Sequence, residues 1–265
     1  MPSADNDDHG DLTQAYQDFA LVYDEMMREL DYPAWVDYVL DLYHHHQSGL
    51  EKAAGRTLLD LACGTGSFMA LMLEKGWRVT GVDQSPSMLA IAEDKLGKTK
   101  GEYRLFAQDL RELNLDEQFP LITCLCDSLN YLLLVEDLQQ VFIRIYRHLL
   151  PGGVCIADFN TAYKYREVLA ENTFCAVYEN SAYIWNNHLE PAARLCRMEI
   201  DFFRREKGEL FRHFQEIHWL RWYEPAEIED LARKTGFSRV NCYSAFTRKP
   251  CRPEDERIFF VFSRE

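Results

Sequence analysis

The chain has 265 residues, 47% of them hydrophobic, which is enough for one large α/β domain or two small ones with a buried core. It lacks both an apolar run of about 18 residues and a basic, apolar leader, so membrane insertion and secretion are disfavoured. Eight cysteines are too few for a disulfide scaffold, which favours the reducing cytoplasm, and a net charge of −14 disfavours non-specific nucleic-acid binding.

The N-terminal residues favour helices that precede the main domain. The acidic stretch 5–11 is typical of a frayed terminus. From Ala15 to about Tyr43 apolar side chains recur at helical spacing, and Pro33 opens a second helix. We therefore expect a helical lid within residues 1–50.

Strands and helices then alternate up to residue 159. Ser85 and Pro86 supply the N-cap and first residue of one of these helices, and a Pro-Gly-Gly turn at 151–153 precedes the fifth strand. The predicted strands lie at 57–62, 77–83, 103–108, 121–126 and 153–159, and the predicted helices at 68–75, 85–96 and 135–149. This alternation predicts βαβ units and a parallel sheet covered on both faces.

A different pattern begins after Asn160. Residues 174–222 are rich in aromatic and β-branched side chains with near-alternating polarity and a hairpin turn at 206–209, which fits three antiparallel strands. A helix at 225–235 and strands near 240–245 and at 258–262 then return to the main sheet. We expect a main domain of residues 51–165 and 223–265, with an inserted antiparallel sheet at 166–222.

The turn after the first strand carries Gly64 and Gly66, a pair that by itself is common in ligand-free turns. Met69 occupies the position where a dinucleotide fingerprint requires glycine or alanine, so a pyrophosphate is disfavoured. Asp83 ends the second strand 19 residues beyond Gly64, where a carboxylate can accept both hydroxyls of a ribose. These residues favour a nucleoside without phosphates.

Four motifs in this order carry a resemblance to a known family. Residues 58–66 (Leu-Leu-Asp-Leu-Ala-Cys-Gly-Thr-Gly) resemble motif I of the class I S-adenosylmethionine-dependent methyltransferases. Residues 81–88 resemble the ribose-binding strand end of that family, residues 107–110 its adenine-reading strand end, and residues 151–153 its turn before strand five. The resemblance implies a doubly wound, Rossmann-like α/β fold with a seven-stranded sheet, and S-adenosyl-L-methionine as cofactor.

A narrower likeness covers most of the chain. Residues 16–27, Tyr32 with Trp35, and residues 126–131 are similar to small bacterial methyltransferases of mostly unassigned substrate, which share an inserted antiparallel sheet after strand five. More distantly, the layout resembles glycine and aminosugar N-methyltransferases, whose N-terminal helix folds over the cofactor. This likeness implies a small-molecule methyl acceptor without identifying it.

The resemblance also implies roles for individual residues. Gly64 and Gly66 would approach the methionine part, with Asp60 anchoring the loop or the ammonium, while Asp83 would bind the ribose and Met88 the adenine face. The implied cofactor-binding set is Tyr23, Asp60, Ala62, Gly64, Gly66, Asp83, Gln84, Met88, Asp109, Leu110 and Asp127. The implied acceptor-side set is Tyr16, Ser128, Asn130 and Tyr131. We assign no catalytic base and no metal.

Several of these side chains have structural alternatives. Tyr16 and Tyr23 lie seven residues apart on an amphipathic helix, a spacing more typical of core residues. Cys124 and Cys126 favour buried packing, and consecutive helix histidines at 44–46 cannot converge on one ion. The histidines of the inserted sheet, His188, His213 and His218, favour half-exposed strand positions, although one could contact an acceptor.

Arginines interleaved with aromatic residues on the inserted sheet leave four interpretations open: an acidic acceptor, a protein interface such as a homodimer, plain packing, or single-stranded nucleic acid, which the equally numerous acidic residues nearby disfavour. The favoured function is in-line methyl transfer from S-adenosylmethionine to N or O of a small molecule. The alternatives are an RNA or protein methyltransferase, which needs an open groove, and a non-catalytic nucleotide-binding module.

Overall fold

The computed structural model describes residues 19–50 and 55–265; Tyr16 and the acidic stretch 5–11 lie outside them. Among the described residues, none of the helices is both long and apolar enough to cross a membrane. The helices are α1 (Ala20–Met26), α2 (Tyr32–His46), α3 (Ser67–Glu74), α4 (Pro86–Leu96), α5 (Val135–His148) and α6 (Pro225–Thr235). The strands are β1 (Thr57–Leu61), β2 (Arg78–Asp83), β3 (Tyr103–Ala107), β4 (Phe119–Cys124), β5 (Leu149–Asn160), β6 (Thr173–Val177), β7 (Ser181–Glu190), β8 (Leu195–Lys207), β9 (Leu210–Arg221), β10 (Arg239–Ser244) and β11 (Arg257–Ser263).

The main sheet has seven strands in the order β3-β2-β1-β4-β5-β11-β10. The pairs from β3 to β5 are parallel, whereas β11 is antiparallel to both β5 and β10. Every residue of β1 and β4 is buried, as expected for strands covered on both faces. This confirms the doubly wound, seven-stranded α/β sheet that the sequence and its resemblance predict.

Helices cover both faces of the main sheet. On one face α2, α3 and α4 bury a cluster that includes Trp35, Leu58 and Phe259. On the other face α5 and α6 bury a cluster that includes Phe142 and Phe262. Both layers leave the carboxyl ends of the parallel strands at one edge, which is where ligands bind in open α/β sheets.

The inserted sheet has four antiparallel strands in the order β6-β7-β8-β9, not the three that the sequence predicts. The additional strand, β6, is only five residues long and lies at the edge, so its pattern is weak. The inner face of this sheet packs against α1, with Phe19, Met198 and Phe202 in one apolar cluster. The inserted sheet and α1 thus cover one edge of the main domain together.

Two local predictions are decided by backbone contacts. Ser85 caps α4, since its Oγ accepts a hydrogen bond of 3.3 Å from the N–H of Met88. The Pro-Gly-Gly segment, by contrast, lies inside β5 rather than before it, because the Gly152 N–H donates to the carbonyl of Arg264 at 2.7 Å and its carbonyl accepts from Ser48. The strand therefore begins four residues earlier than predicted.

Candidate functional site

One cavity of about 650 Å³ lies at the carboxyl ends of the parallel strands, under α1 and the inner face of the inserted sheet. Nine residues of the predicted cofactor-binding set line it: Tyr23, Ala62, Gly64, Asp83, Gln84, Met88, Asp109, Leu110 and Asp127. Two predicted acceptor-side residues, Ser128 and Tyr131, line it too. Asp60, Gly66 and Asn130 lie outside its lining. A single space therefore contains most of the residues that the resemblance assigns to the two substrates.

The glycine turn brings bare backbone to the cavity. Gly64 has φ +53°, and a Cβ built on it would meet no atom within 4 Å, so this glycine faces open space. Gly66 has φ +75° and a different function. A Cβ built on Gly66 would lie 3.2 Å from the Cβ of Ala92. Gly66 thus lets α3 begin close to α4, whereas Gly64 lets a ligand approach the main chain.

Asp83 is held rigidly at the end of β2. Its Oδ2 accepts from the N–H of Gly64 and its Oδ1 from the N–H of Ser85, both at 2.8 Å. Burial raises the pKa of Asp83, and these N–H groups act in the opposite direction by stabilising the carboxylate. A carboxylate has about four acceptor positions, so two are left that could face a diol.

Asp60 lies behind the turn rather than in the cavity. It is 3% exposed, and its Oδ1 accepts a 2.6 Å hydrogen bond from Thr123 Oγ1 on β4. The pKa of Asp60 is raised to about 7, because burial and the charge of Asp83 raise it by more than the hydrogen bond from Thr123 lowers it. The side chain ties β1 to β4 below the glycine turn.

The end of β3 carries an ion pair that the sequence analysis missed. Arg111 donates from Nε and Nη2 to both carboxylate oxygens of Asp109, at 2.6–3.1 Å, and also reaches Asp137 at 3.3 Å. Burial by itself would raise the pKa of Asp109, but hydrogen bonds and charge from Arg111 hold it below the usual value. Arg111 lines the cavity beside Asp109 and Leu110.

The end of β4 has an unusual backbone. The strand ends at Cys124, two residues earlier than predicted, and Cys126 and Asp127 follow with φ of +58° and +51°. Non-glycine residues in this region are strained and cluster at functional sites. Cys124 is buried as predicted, whereas Cys126 lines the cavity.

An arginine from the far end of the chain holds this strained segment. Arg257, the first residue of β11, donates to Asp127 Oδ1 at 2.8 Å and to Asp158 Oδ2, while Asp158 also accepts from the Asp127 N–H at 3.0 Å. The Arg257 guanidinium lies 5.3 Å from the centroid of the Trp35 ring. Asp158 is fully buried, so this pairing fixes its negative charge next to the cavity.

The acceptor-side residues divide into two kinds. Ser128 donates to the Leu125 carbonyl at 2.7 Å, and the Tyr131 hydroxyl lies 3.3 Å from His218 Nδ1. Asn130 is fully buried and bonds the backbone of Asn160 and Arg221, so it joins the main sheet to the inserted one. Asn130 therefore has a structural position, while the other two face the ligand space.

Tyr23 both packs and lines the cavity. Its ring meets that of Phe19 edge to face at 5.2 Å, and burial raises the pKa of its hydroxyl well above the usual value.

Lys164 also lines the cavity, although nothing in the sequence marks it as a site residue. Burial lowers the pKa of Lys164, as does the charge of Arg257, while Asp127 acts in the opposite direction.

The histidines occupy three kinds of environment. His44 and His45 are exposed, whereas His46 is buried, lies 2.9 Å from the Tyr243 hydroxyl, and has its pKa lowered to about 4 by burial. Side chains of the two inserted-sheet histidines 188 and 213 are half-exposed, as predicted. The same prediction was wrong for His218, which is 2% exposed and lines the cavity.

The lining suits the cofactor expected from the resemblance. Gly64 offers open main chain, Asp83 offers free acceptor positions, and Met88 and Leu110 offer apolar surface for a base. The charges of the lining nearly balance, with the carboxylates of Asp83, Asp109, Asp127 and Asp137 against the cations of Arg111, Lys164 and Arg257, so it is these contacts and not the net charge that fit the cofactor.

Comparisons with known proteins agree with this geometry. A family profile described as "Methyltransferase domain" matches residues 58–153. A Bacillus subtilis (strain 168) protein named "Putative methyltransferase YqeM" is 33% identical over 92% of this chain and 95% of its own length. A Streptomyces venezuelae enzyme, dTDP-3-amino-3,4,6-trideoxy-alpha-D-glucopyranose N,N-dimethyltransferase, is 28% identical over 80% of this chain and 86% of its own.

Among solved structures, an S-adenosylmethionine-dependent methyltransferase from Clostridium acetobutylicum ATCC 824 superposes with a TM-score of 0.82 at 32% identity, covering 94% of this chain and 98% of that one. Both the sequence match and this structural match extend over nearly the whole chain. The chain therefore belongs to the class I S-adenosylmethionine-dependent methyltransferases.

Proposed function

We propose that the enzyme transfers a methyl group in line from S-adenosylmethionine to the nitrogen or oxygen of a small molecule bound in the same cavity. The observation that carries this proposal is the continuity of one 650 Å³ space, which runs from Gly64 and Asp83 to Tyr131 and the inserted sheet. Transfer needs the two reactants in contact with water excluded, and a shared covered cavity meets both requirements.

When bound, S-adenosylmethionine supplies a methyl group that the positive sulfur already activates. The protein's own residues then have to bind and orient. We assign the ribose hydroxyls to Asp83, the main-chain approach to Gly64, and the adenine to Asp109, Leu110 and Met88. Because Arg111 holds both oxygens of Asp109, adenine binding to that carboxylate requires Arg111 to share it or to move.

An amine is the favoured acceptor. The Streptomyces venezuelae relative is named for dimethylation of the amino group of a sugar nucleotide, and it matches this chain over 80% of its length. On the proposed acceptor side, Arg257 already pairs with Oδ1 of Asp127, so Asp127 can offer its Oδ2 to an N–H group of the amine. We propose that residues 19–50, the described part of the expected lid, cover the cavity and that residues 166–222 form its acceptor-side wall. A cytoplasmic location and a homodimer through the inserted sheet stay predictions.

The covered cavity also bears on the alternatives. An RNA or protein methyltransferase needs a groove that admits a polymer, whereas α1 and the inner face of the inserted sheet lie over this one. A non-catalytic binding module has no need of strained residues such as Cys126 and Asp127 beside the proposed reaction centre. A small-molecule enzyme fits both observations.

The test is transfer of tritium from methyl-labelled S-adenosylmethionine to a fixed panel of probes: an amino-sugar nucleotide, glucosamine, glycine, a catechol, a short RNA and a peptide. We expect label in at least one small amine or hydroxyl probe, and none in the two polymers. Label in RNA or peptide alone would contradict the small-molecule acceptor, and tight cofactor binding without any transfer, including to a metabolite extract, would favour the non-catalytic module.

A further inference from the structure

Three polar side chains form a line that leads away from the acceptor side of the cavity. The Tyr131 hydroxyl lies 3.3 Å from Nδ1 of His218, and Nε2 of His218 lies 3.3 Å from Oε2 of Glu216. Tyr131 and His218 line the cavity, whereas Glu216 lies behind them. The hydroxyl and the imidazole therefore both face the ligand space, and the carboxylate lies on the far side of the imidazole.

The strand places the second and third members together. Glu216 and His218 are two residues apart on β9, so their side chains lie on the same face of the inserted sheet, the one that covers the cavity. Oε1 of Glu216 also accepts a 3.2 Å hydrogen bond from the N–H of Phe19, immediately before α1. One carboxylate thus contacts both the imidazole and the beginning of the lid.

Burial makes this arrangement more than a surface contact. The side chain of His218 is 1% exposed and that of Glu216 is 9% exposed. Both side chains are therefore largely withdrawn from water, with the imidazole and the carboxylate next to each other. The same sequence of groups, in which a carboxylate lies next to a base that contacts a hydroxyl, recurs in enzymes that move a proton at the reacting group.

We propose that Tyr131, His218 and Glu216 form a proton-accepting chain that deprotonates an amine acceptor before methyl transfer. The amine arrives as an ammonium ion and gives its proton to the Tyr131 oxygen, whose own proton passes to Nδ1 of His218. The neutral amine then forms its N–C bond as the C–S bond of the donor breaks, with that electron pair left on sulfur. His218 is left as an imidazolium beside Glu216 and later returns its proton to water.

The inference rests on the proposed function and narrows its substrate to a basic primary or secondary amine. Such amines titrate near the value of a lysine side chain, about 10.4, and so are almost fully protonated at neutral pH. A group that removes the proton then raises the reactive fraction. Among the residues that the structure describes, Tyr131 and Glu216 contact His218, while Asp127, Lys164 and Arg257 line the same cavity.

The first test needs no acceptor. Nitrogen-15 NMR of the imidazoles in the full chain, saturated with S-adenosylhomocysteine and assigned with His218→Gln, reports which nitrogen carries the proton. The chain requires neutral His218 to be protonated on Nε2 and free on Nδ1, since Nδ1 has to accept from Tyr131. Glu216→Leu should shift the population toward Nδ1–H. A wild-type protein protonated on Nδ1 would overturn the proposal.

The second test is kinetic and uses the amine probe that the panel shows to be methylated fastest. Tyr131→Phe should lower kcat/KM about 10²-fold near neutral pH, a typical contribution of acid–base catalysis. The deficit should shrink as the pH rises toward about 10, where the amine is neutral without help. A merely structural hydroxyl would give a deficit that does not change with pH, and either that result or an unchanged rate would refute the chain.

His213→Gln is the matched control, because His213 lies on the same strand but is half-exposed and contacts Asp201 at 2.7 Å instead of the cavity. We expect wild-type rates from it at every pH. All variants should bind S-adenosylhomocysteine with wild-type affinity, which separates loss of the chain from loss of the fold. If S-adenosylhomocysteine binds but no amine is methylated, the proposed acceptor class is wrong. The His218 tautomer measured by NMR then still shows whether these three side chains can pass a proton.

Discussion

Replacing Asp83 with alanine should weaken the binding of S-adenosylhomocysteine about 10²- to 10⁴-fold. Two of the four acceptor positions of this carboxylate are used by the N–H groups of Gly64 and Ser85, and we assign the other two to the ribose hydroxyls. A hydrogen bond to a charged group contributes about 1.5–3 kcal/mol, so losing two costs about 3–6 kcal/mol. At about 1.4 kcal/mol per tenfold, that range gives the stated loss of affinity.

The assay is isothermal titration calorimetry on the full chain, with unfolding followed in parallel. Asp83→Ala also removes two bonds within the protein, so the control has to be a carboxylate with equal solvent exposure and two comparable hydrogen bonds. Asp255 is 8% exposed, as Asp83 is, and its Oδ2 accepts from the Arg252 N–H at 2.7 Å and from Ser244 Oγ at 2.5 Å, away from the cavity. Asp255→Ala should therefore cost stability without changing the affinity.

The two variants together decide the assignment. If Asp83→Ala is folded and binds S-adenosylhomocysteine as tightly as the wild type, Asp83 does not hold the ribose. If Asp83→Ala and Asp255→Ala lose affinity equally, the loss reports general destabilisation. Only a selective loss in the first variant supports the site.

Three further expectations concern the lid and the buried charges. Tyr23→Phe should lower turnover several-fold while changing the free energy of unfolding by less than about 1 kcal/mol. If the variant keeps full activity on the true acceptor, Tyr23 is a packing residue only. Burial raises the pKa of Asp60 from 3.8 to about 7, so the native state binds the proton more tightly than the unfolded chain, and this group's contribution to stability falls as the pH rises between those values. Asp60→Asn should therefore gain in urea midpoint relative to the wild type from about pH 4 to about pH 7, and a difference independent of pH would contradict the assignment. Arg257→Gln leaves the buried Asp158 without its partner and should lower the free energy of unfolding by about 3–5 kcal/mol, measured by urea denaturation; a loss below about 1 kcal/mol would show that Asp158 is neutral or otherwise compensated.

Local patterns in the sequence were sufficient to predict most strands and helices of the main sheet. Ser85 and Pro86 mark the beginning of α4, and α6 occupies the residues that its proline and Gly236 predict. Hydrophobic runs and caps involve residues a few positions apart, so the chain itself displays them. β5 is longer than its sequence predicts, because hydrogen bonds of Gly152 with Ser48 and Arg264 extend the strand through a glycine pair.

The site was predicted where it follows the strand ends and missed where it depends on distant pairing. Arg257 pairs with Asp127 although 130 positions of sequence separate them, and no local sequence pattern links the two residues. Arg111 lies only two residues from Asp109, but this spacing does not show that the Arg111 side chain folds back onto the Asp109 carboxylate. Alternation on β9 does place Glu216 and His218 on one face; which face covers the cavity is decided by the docking of the whole sheet.

The most direct measurement of the central claim is a crystal structure of the full chain grown with S-adenosylhomocysteine. The account predicts the ribose on the Asp83 carboxylate, the amino-acid end against Gly64, and the sulfur facing Tyr131 across open space for an acceptor. A ligand bound elsewhere, or a sulfur that points away from the inserted sheet, would contradict it.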